Sequence, residues 1–199
     1  MKSKEKTTPV KCKNETCNGC SIEGKLLCNH TLSDLIDFYL LFMVFFVPFL
    51  AGMLIGNFHT ALGIWGVLAG VFFLYVEALI LCRHCPHYAE KGFLLSCHAN
   101  WGLPKIPKFN PRPLNRIEQV SWLVYVAVLF LFYIPFFIIS QQWLMLGLTT
   151  LGLVTFGWTV QRTKCNRCYN LSCPVNRVPE DIRKVFYENY PDFSGSGEK

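Results

Sequence analysis

Two long stretches carry no charged side chain, and they limit what this chain can become. No Asp, Glu, Lys or Arg occurs from Phe38 to Val76, and none again from Gln119 to Gln161. A membrane-spanning helix needs about 20 mostly apolar residues, so each stretch has room for two helices joined by a tight turn. Asn57-Phe58-His59 and Ser140-Gln141-Gln142 are the candidate turns, with His59 as a polar turn residue. Only 16% of the 199 residues are charged, well below the roughly one quarter of a soluble domain. The expected fold class is an all-α integral membrane protein with four transmembrane helices and small cysteine-rich segments outside them.

Orientation follows from the basic residues. Six Lys or Arg precede the first stretch, six lie between Leu81 and Gln119, and seven follow Gln161, which accounts for all nineteen. The positive-inside rule then puts both termini and the central loop in the cytoplasm, in a multi-pass protein of the cell membrane. The net charge of +6 becomes the charge of one face, suited to anionic headgroups of the lipid bilayer. No motif points to nucleic acid. The first 34 residues are Lys-rich and show no apolar h-region of a signal peptide.

All ten cysteines fall in the same three segments as the basic residues. A reducing cytosol disfavours structural disulfides, so short cysteine spacings there point to metal or to redox thiols. The expected organisation is a Cys-rich N-terminal module (1–30), hairpin 1 (31–81), a Cys/Pro-rich loop (82–115), hairpin 2 (116–161) and a Cys-rich tail (162–199). The N-terminal module reads Cys12-x4-Cys17-x2-Cys20-x7-Cys28, then His30. Its x4 and x2 spacing resembles the first three ligands of plant-type two-iron ferredoxins, whose fourth cysteine lies much further along. A four-cysteine zinc knuckle and an arm with exposed thiols fit the same residues.

Both hairpins are built on one plan. Thr31/Asp34 and Asn115/Glu118 have capping-box spacing at the start of each first helix. Each first helix carries a proline among aromatics, Phe45-Phe46-Val47-Pro48-Phe49 and Phe132-Tyr133-Ile134-Pro135-Phe136, and each proline should kink its helix. Each second helix delivers a Cys-x-x-Cys pair, Cys82/Cys85 and Cys165/Cys168, with Cys97 and Cys173 following. From proline to first cysteine the distance is 34 residues (Pro48 to Cys82) in one half and 30 (Pro135 to Cys165) in the other. Both halves start on the same side, so a parallel repeat with its pseudo-twofold axis along the membrane normal is expected. Such an axis can bring the two pairs together. Gly66 and Gly70 form a small-xxx-small pair and predict a close helix contact.

Four thiolates from the two pairs suffice for a tetrahedral zinc or an iron–sulfur cluster. Alternatively each three-cysteine set holds its own metal. His84, His87 or His98 could then complete the central set, while the tail needs an outside ligand. Pro86 and Pro174 directly follow cysteines, as in bacterial-type ferredoxin motifs, although the x2, x2, x3 spacing of those motifs is absent. An iron–sulfur cluster is the preferred cofactor and zinc the alternative. Arg83-His84-Cys85-Pro86-His87-Tyr88 resembles the Arg-His-Pro-x-Tyr signature of membrane isoprenylcysteine methyltransferases, with Cys85 inserted and the following acidic pair absent. Glu77, inside the second helix, is expected to snorkel to the interface. The segment from Pro104 to Pro113 is expected to lie on headgroups as an extended strap. Residues 179–189 should form a short amphipathic helix, with Pro179 at its first turn. The functions in view are electron transfer with a membrane or cytosolic redox partner, a zinc-stapled scaffold or assembly protein, and a lipid-directed enzyme using Glu77, His84 and Tyr88.

Overall fold

The structure is a computed structural model that describes residues 22, 24–28, 31–97 and 99–194. Cys12, Cys17, Cys20, His30 and His98 lie outside the described residues, as does the end of the tail. Among the described residues there is no β-strand, only an isolated bridge between Leu94 and Pro104. Four helices are long and apolar enough to cross a membrane: Leu32–Ile55, His59–His84, Arg116–Ile139 and Trp143–Arg167.

Helix α1 (Leu32–Ile55) starts at a capping box in which Thr31 and Asp34 satisfy each other's backbone N–H groups. Helix α4 (Arg116–Leu131) starts the same way at Asn115 and Glu118. In lipid there is no water to take up free helix ends, so paired caps at the entry points matter. The two prolines act differently. Helix α1 continues through Pro48, whereas Pro135 ends the regular helix, leaving Phe132 and Tyr133 as a turn before α5 (Ile134–Ile139).

The second helices also differ. Helix α6 (Trp143–Thr163) is unbroken. Its counterpart consists of α2 (His59–Val71), a π-helical stretch Phe72–Val76, and α3 (Glu77–Ile80). A π stretch takes up one extra residue per turn.

The outer turns share one geometry. Asn57 (φ 59°) and Gln141 (φ 56°) both adopt the left-handed conformation. The next residue donates five positions back in each case, Phe58 N to Met53 O and Gln142 N to Phe137 O, both at 2.9 Å. This is the Schellman closure of a helix end, and its left-handed position here is filled by amide side chains rather than glycine.

The hairpins interlock across each other. Helix α1 packs along α6, and α4 packs on α2 and α3. The decisive contact is Gly152 of α6, where a β-carbon would collide with the backbone carbonyl of Val44 on α1. That carbonyl has lost its normal partner, because the donor four residues on would be Pro48. The bare Cα of Gly152 therefore covers a freed carbonyl. On the other side, Trp65 of α2 donates its indole N–H to Leu129 O at 2.9 Å, one of the last carbonyls of α4. Phe45 and Phe49 meet Tyr133 between these contacts, at ring separations of 6.2 and 6.4 Å. Phe45, Phe49, Met53, Tyr133 and Phe137 are completely buried. Gly66 and Gly70 do not make the expected contact, since a β-carbon on either meets nothing within 4 Å. Helix α2 instead meets α4 through a larger-residue face that includes Trp65 and Leu68, continued by Phe72 of the π-helical stretch.

Beyond the cysteine-bearing ends the chain folds into a cap. Helix α7 (Glu180–Asn189) forms where the amphipathic pattern predicts it. Its apolar face is spent within the protein: Phe186 is buried, and Ile182 and Val185 pack with it against Ile22, Leu26, Tyr169 and Leu171. The Pro104–Pro113 strap is irregular, as four prolines require. It is tied to the cap at three points, with Ile106 left exposed. Tyr88 Oη donates to Pro107 O (2.6 Å), Lys105 Nζ to Glu90 O (2.7 Å) and Asn110 N to Arg83 O (2.9 Å).

Replacing Gly152 by Val should push α6 away from α1 and destabilise the protein by about 1–3 kcal/mol, as overpacking does. Gly66→Val should be nearly neutral. Thermal unfolding of the detergent-solubilised variants, followed by helical circular dichroism, checks both.

Candidate metal centre

The two Cys-x-x-Cys pairs sit on matching single turns. Cys82–His84 and Cys165–Arg167 are short 3-10 segments that follow directly on the membrane helices. In each, the second cysteine leaves the turn extended and donates its N–H back to the first: Cys85 N to Cys82 O at 2.9 Å, Cys168 N to Cys165 O at 3.5 Å. Residues i and i+3 of a 3-10 turn eclipse each other, so both sulfurs of a pair start from the same side.

Reciprocal ion pairs bring the turns to each other. Asp34, at the start of hairpin 1, pairs with Lys164 just before Cys165 (3.1 Å). Glu118, at the start of hairpin 2, pairs with Arg83 just after Cys82 (3.1 Å) and with Arg112 (2.6 Å). Asn170 of the tail then donates to Leu81 O at 3.3 Å, which ties the second cysteine segment to the end of the first hairpin.

The thiols consequently share one end of the bundle. Cys85 is within electrostatic reach of Cys168 and Cys97, and Cys97 of Cys168. Cys82 is within reach of Cys97 and Cys85. Cys173 interacts with Cys168 and Cys165. All six predicted cysteines of the central loop and tail thus join one network spanning both hairpins, with Cys165 at its more open edge. None of the six forms a disulfide. Cys28 packs against the α7 side of the cap with Ile22 and Leu26. Among the described residues, no three His, Cys, Asp or Glu side chains stand close enough to hold a metal ion as they are placed.

Burial controls the state of these thiols. It pushes Cys85 well above the ordinary thiol range, Cys97 up to about 12 and Cys168 up to about 11. Cys173 also goes up, and neighbouring sulfurs add to the burial effect there and at Cys85. Neutral buried thiols are poor nucleophiles, which argues against thiol exchange as their use. A cation among them reverses the balance, because a coordinated thiol gives up its proton.

The histidines are engaged elsewhere. His84 is buried, with Nδ1 donating to Asn110 O (2.8 Å) and Nε2 accepting from Arg83 Nε (3.2 Å). His87 faces Glu90 Oε1 (2.8 Å) with one nitrogen and Leu27 O (3.2 Å) with the other. The expectation that either completes a central-loop site meets two rings whose nitrogens are already bound. Tyr88 is likewise held by Pro107, and burial pushes its hydroxyl up to about 12. Glu77 does not snorkel. It is 8% exposed, and its Oε2 is buried without a hydrogen-bond partner.

Asn100 is a site residue that sequence reasoning missed. Its side-chain amide donates to Cys82 Sγ at 3.4 Å and its backbone N–H to Cys97 Sγ at 3.2 Å. It lies in the turn of a small ribbon closed by Leu95 N to Leu103 O (2.8 Å) and Lys105 N to Phe93 O (2.8 Å). A polar residue three positions after a cysteine was the only local signal, and it is a weak one.

Compared with protein-family models, curated proteins and solved structures, the chain matches none.

Metal-free protein should lose stability as pH rises. Cys97 and Cys168 hold their protons to about 12 and 11 in the folded state, while in the unfolded chain they ionise near 9. The unfolded state then binds fewer protons between those limits, so unfolding becomes easier with each step upward from about pH 9. Thermal unfolding of chelator-treated protein from pH 7 to 11 should show this fall, and Cys97→Ser should flatten it.

Proposed function

We propose that this is a membrane protein whose cysteine cap binds metal as an iron–sulfur cluster and passes electrons at the cytoplasmic membrane face. The observation that carries this is that both Cys-x-x-Cys turns are tied to one end of the bundle, by Lys164 to Asp34, Arg83 to Glu118 and Asn170 to Leu81. Six soft donors at one end of the bundle, none in a disulfide, are more than a single tetrahedral zinc uses. By chemistry the donor set suits the group: Cys82, Cys85, Cys97 and Cys168 are the candidates to hold it, with Cys165 and Cys173 as further donors. As they are placed, no three of them stand close enough to hold a metal ion, so binding requires the cap to rearrange around it. Cys12, Cys17, Cys20 and Cys28 are proposed as a second metal set.

When bound, a cluster supplies one-electron transfer at a potential set by its charge, burial and hydrogen bonds to sulfur. The protein's own contributions follow from the residues around it. Asn100 directs two N–H groups at Cys82 and Cys97. Leu81, Ala78 and Leu95 wall off water. The apolar helices below offer a route to a partner or lipid-soluble acceptor in the bilayer. The matched caps, outer turns, cysteine turns and reciprocal ion pairs support a parallel repeat of hairpins, with the pseudo-twofold axis near the Phe45/Tyr133 contact. The distribution of basic residues supports a cytoplasmic cap and termini.

Zinc staples are the second reading. The loop from 82 to 115 has little regular structure, and short irregular segments are what structural zinc commonly holds. Anaerobic purification with iron, sulfide and zinc analysis separates the two. The expected result is broad visible absorption that bleaches on reduction, largely lost in both Cys85→Ser and Cys168→Ser. Colourless protein with stoichiometric zinc would establish the scaffold, and metal-free protein would refute both.

A further inference from the structure

Among the described residues, the four candidate membrane helices hold every exposed large hydrophobic side chain except one group. Phe93, Leu94, Trp101 and Ile106 lie outside those helices and are 68%, 53%, 39% and 54% exposed. All four belong to the small ribbon and the start of the strap. Phe93 O accepts from Lys105 N at 2.8 Å and Leu94 bridges to Pro104, so Phe93, Leu94 and Ile106 lie around one cross-link. Trp101 stands in the turn beside Gly102, whose N–H donates to Leu95 O at 2.9 Å. Single apolar side chains on a surface need no explanation, but a cluster of them marks a surface that something covers.

The ribbon is rooted on the end of a membrane helix. Leu95 is buried and packs with Ala78, Cys82 and Tyr88, and Ala78 and Cys82 lie within the span His59–His84. Phe93 is two residues from Leu95, a reach of about 7 Å at most. The headgroup layer of one leaflet is about 5–7 Å deep. The apolar cluster is therefore continuous with the lipid-facing end of the bundle. Its charge suits the same surface. From Lys91 to Ile117 there are five Lys or Arg and no Asp or Glu. Arg112 is paired with Glu118, and Lys105 donates to a backbone carbonyl. Lys91 and Lys108 are exposed, and they flank the cluster in the sequence. Exposed apolar and aromatic side chains beside lysines are what an interfacial lipid anchor is made of.

We propose that the ribbon 93–106 is an interfacial anchor that dips into the leaflet on the cap's side of the bilayer. Phe93, Leu94, Trp101 and Ile106 enter the boundary between headgroups and acyl chains, while Lys91 and Lys108 bind anionic headgroups. The lipid-facing part is the ribbon with Ile106, and the rest of the strap turns into the cap at Phe109. Seating the ribbon this way fixes the segment that carries Cys97 and Asn100 against the membrane. The inference stands on exposure, packing and charge, and is independent of what the cysteines bind.

The test uses full-length protein in lipid nanodiscs, which leave both faces of the bilayer open. A fluorescent amino acid is installed by codon suppression in place of Ile106 and, in a separate control, in place of Glu188, an exposed residue of α7. In discs of phosphatidylcholine and phosphatidylglycerol, the probe at position 106 should be quenched by brominated acyl chains and shielded from aqueous acrylamide, with the reverse at position 188. In phosphatidylcholine alone, or with Lys91→Gln and Lys108→Gln combined, lipid quenching at position 106 should fall about twofold or more. Acrylamide quenching as strong at 106 as at 188 would overturn the lipid contact. Shielding of 106 from both quenchers would overturn it as well, and would put a protein surface, such as a second copy of this chain, over the ribbon. Lipid quenching that is unchanged in neutral discs and in the double variant would overturn the role of anionic headgroups. Because the readout is the same with and without metal, its failure leaves the metal reading untouched.

Discussion

A backbone carbonyl with no donor, enclosed in an apolar bundle, has to be dealt with by neighbouring structure. Pro48 creates one at Val44, and Gly152 of the other hairpin covers it. Much of the architecture follows from that contact. It requires α6 to lie against α1 with no side chain between them. Running antiparallel to α1, helix α6 then ends beside the start of α1, where Lys164 finds Asp34 at 3.1 Å. The next residue is Cys165. Packing between helices in lipid gains nothing from expelling water, so close backbone approach and shape decide which helices pair. Here they decide which cysteines meet. The second crossing, Trp65 to Leu129 O, follows the same rule with an indole donor instead of a bare Cα.

The cap converts this pairing into a chemical environment. Glu118 carries much of the load: it closes the helix cap with Asn115 and binds Arg83 and Arg112. Arg83 in turn fixes His84, and His84 holds the strap at Asn110. The strap, the small ribbon around Asn100 and the tail then shut water away from the sulfurs. Burial of that kind raises the thiols and keeps them protonated, which is costly for a nucleophile and harmless for a ligand that loses its proton only when a cation arrives. The same enclosure makes every hydrogen bond to sulfur stronger, so Asn100 has more influence than an exposed amide would have.

Much of this was legible in the sequence because it rests on composition and local pattern. Charge-free runs set the helix count, capping spacings at Thr31/Asp34 and Asn115/Glu118 marked two helix starts, and the Pro179-Glu180-Asp181 start with its apolar spacing marked α7. What was missed depends on which way a residue faces after packing. Gly66 and Gly70 have the spacing of a contact motif yet point to open space, while Gly152, without a partner at that spacing, makes the close approach. Glu77 looked like a side chain near enough to the interface to escape. The π stretch before it, which no hydrophobic period reveals, turns it inward. Likewise an amphipathic helix and a basic, proline-rich strap suit a lipid surface from sequence alone. The apolar face of the helix packs into the cap, because Ile22, Leu26, Tyr169, Leu171 and Phe193 provide an apolar surface closer at hand, while the strap contributes Phe109 there and leaves Ile106 exposed.

The order of events in assembly follows from where the donors lie. Within each hairpin the cap, the turn between helices and the cysteine turn are local, while α1 with α6 and α4 with α2 and α3 make contacts between the hairpins. The thiol network is not local: Cys85 and Cys168 belong to different hairpins, and Cys97 reaches them from a ribbon between the two. Metal ligands that exist together only after the bundle closes make binding free energy part of folding free energy. A metal at this site would therefore select the correctly crossed bundle over two hairpins lying side by side, and its loss would be felt first at the cap, where irregular segments have the least structure of their own to fall back on.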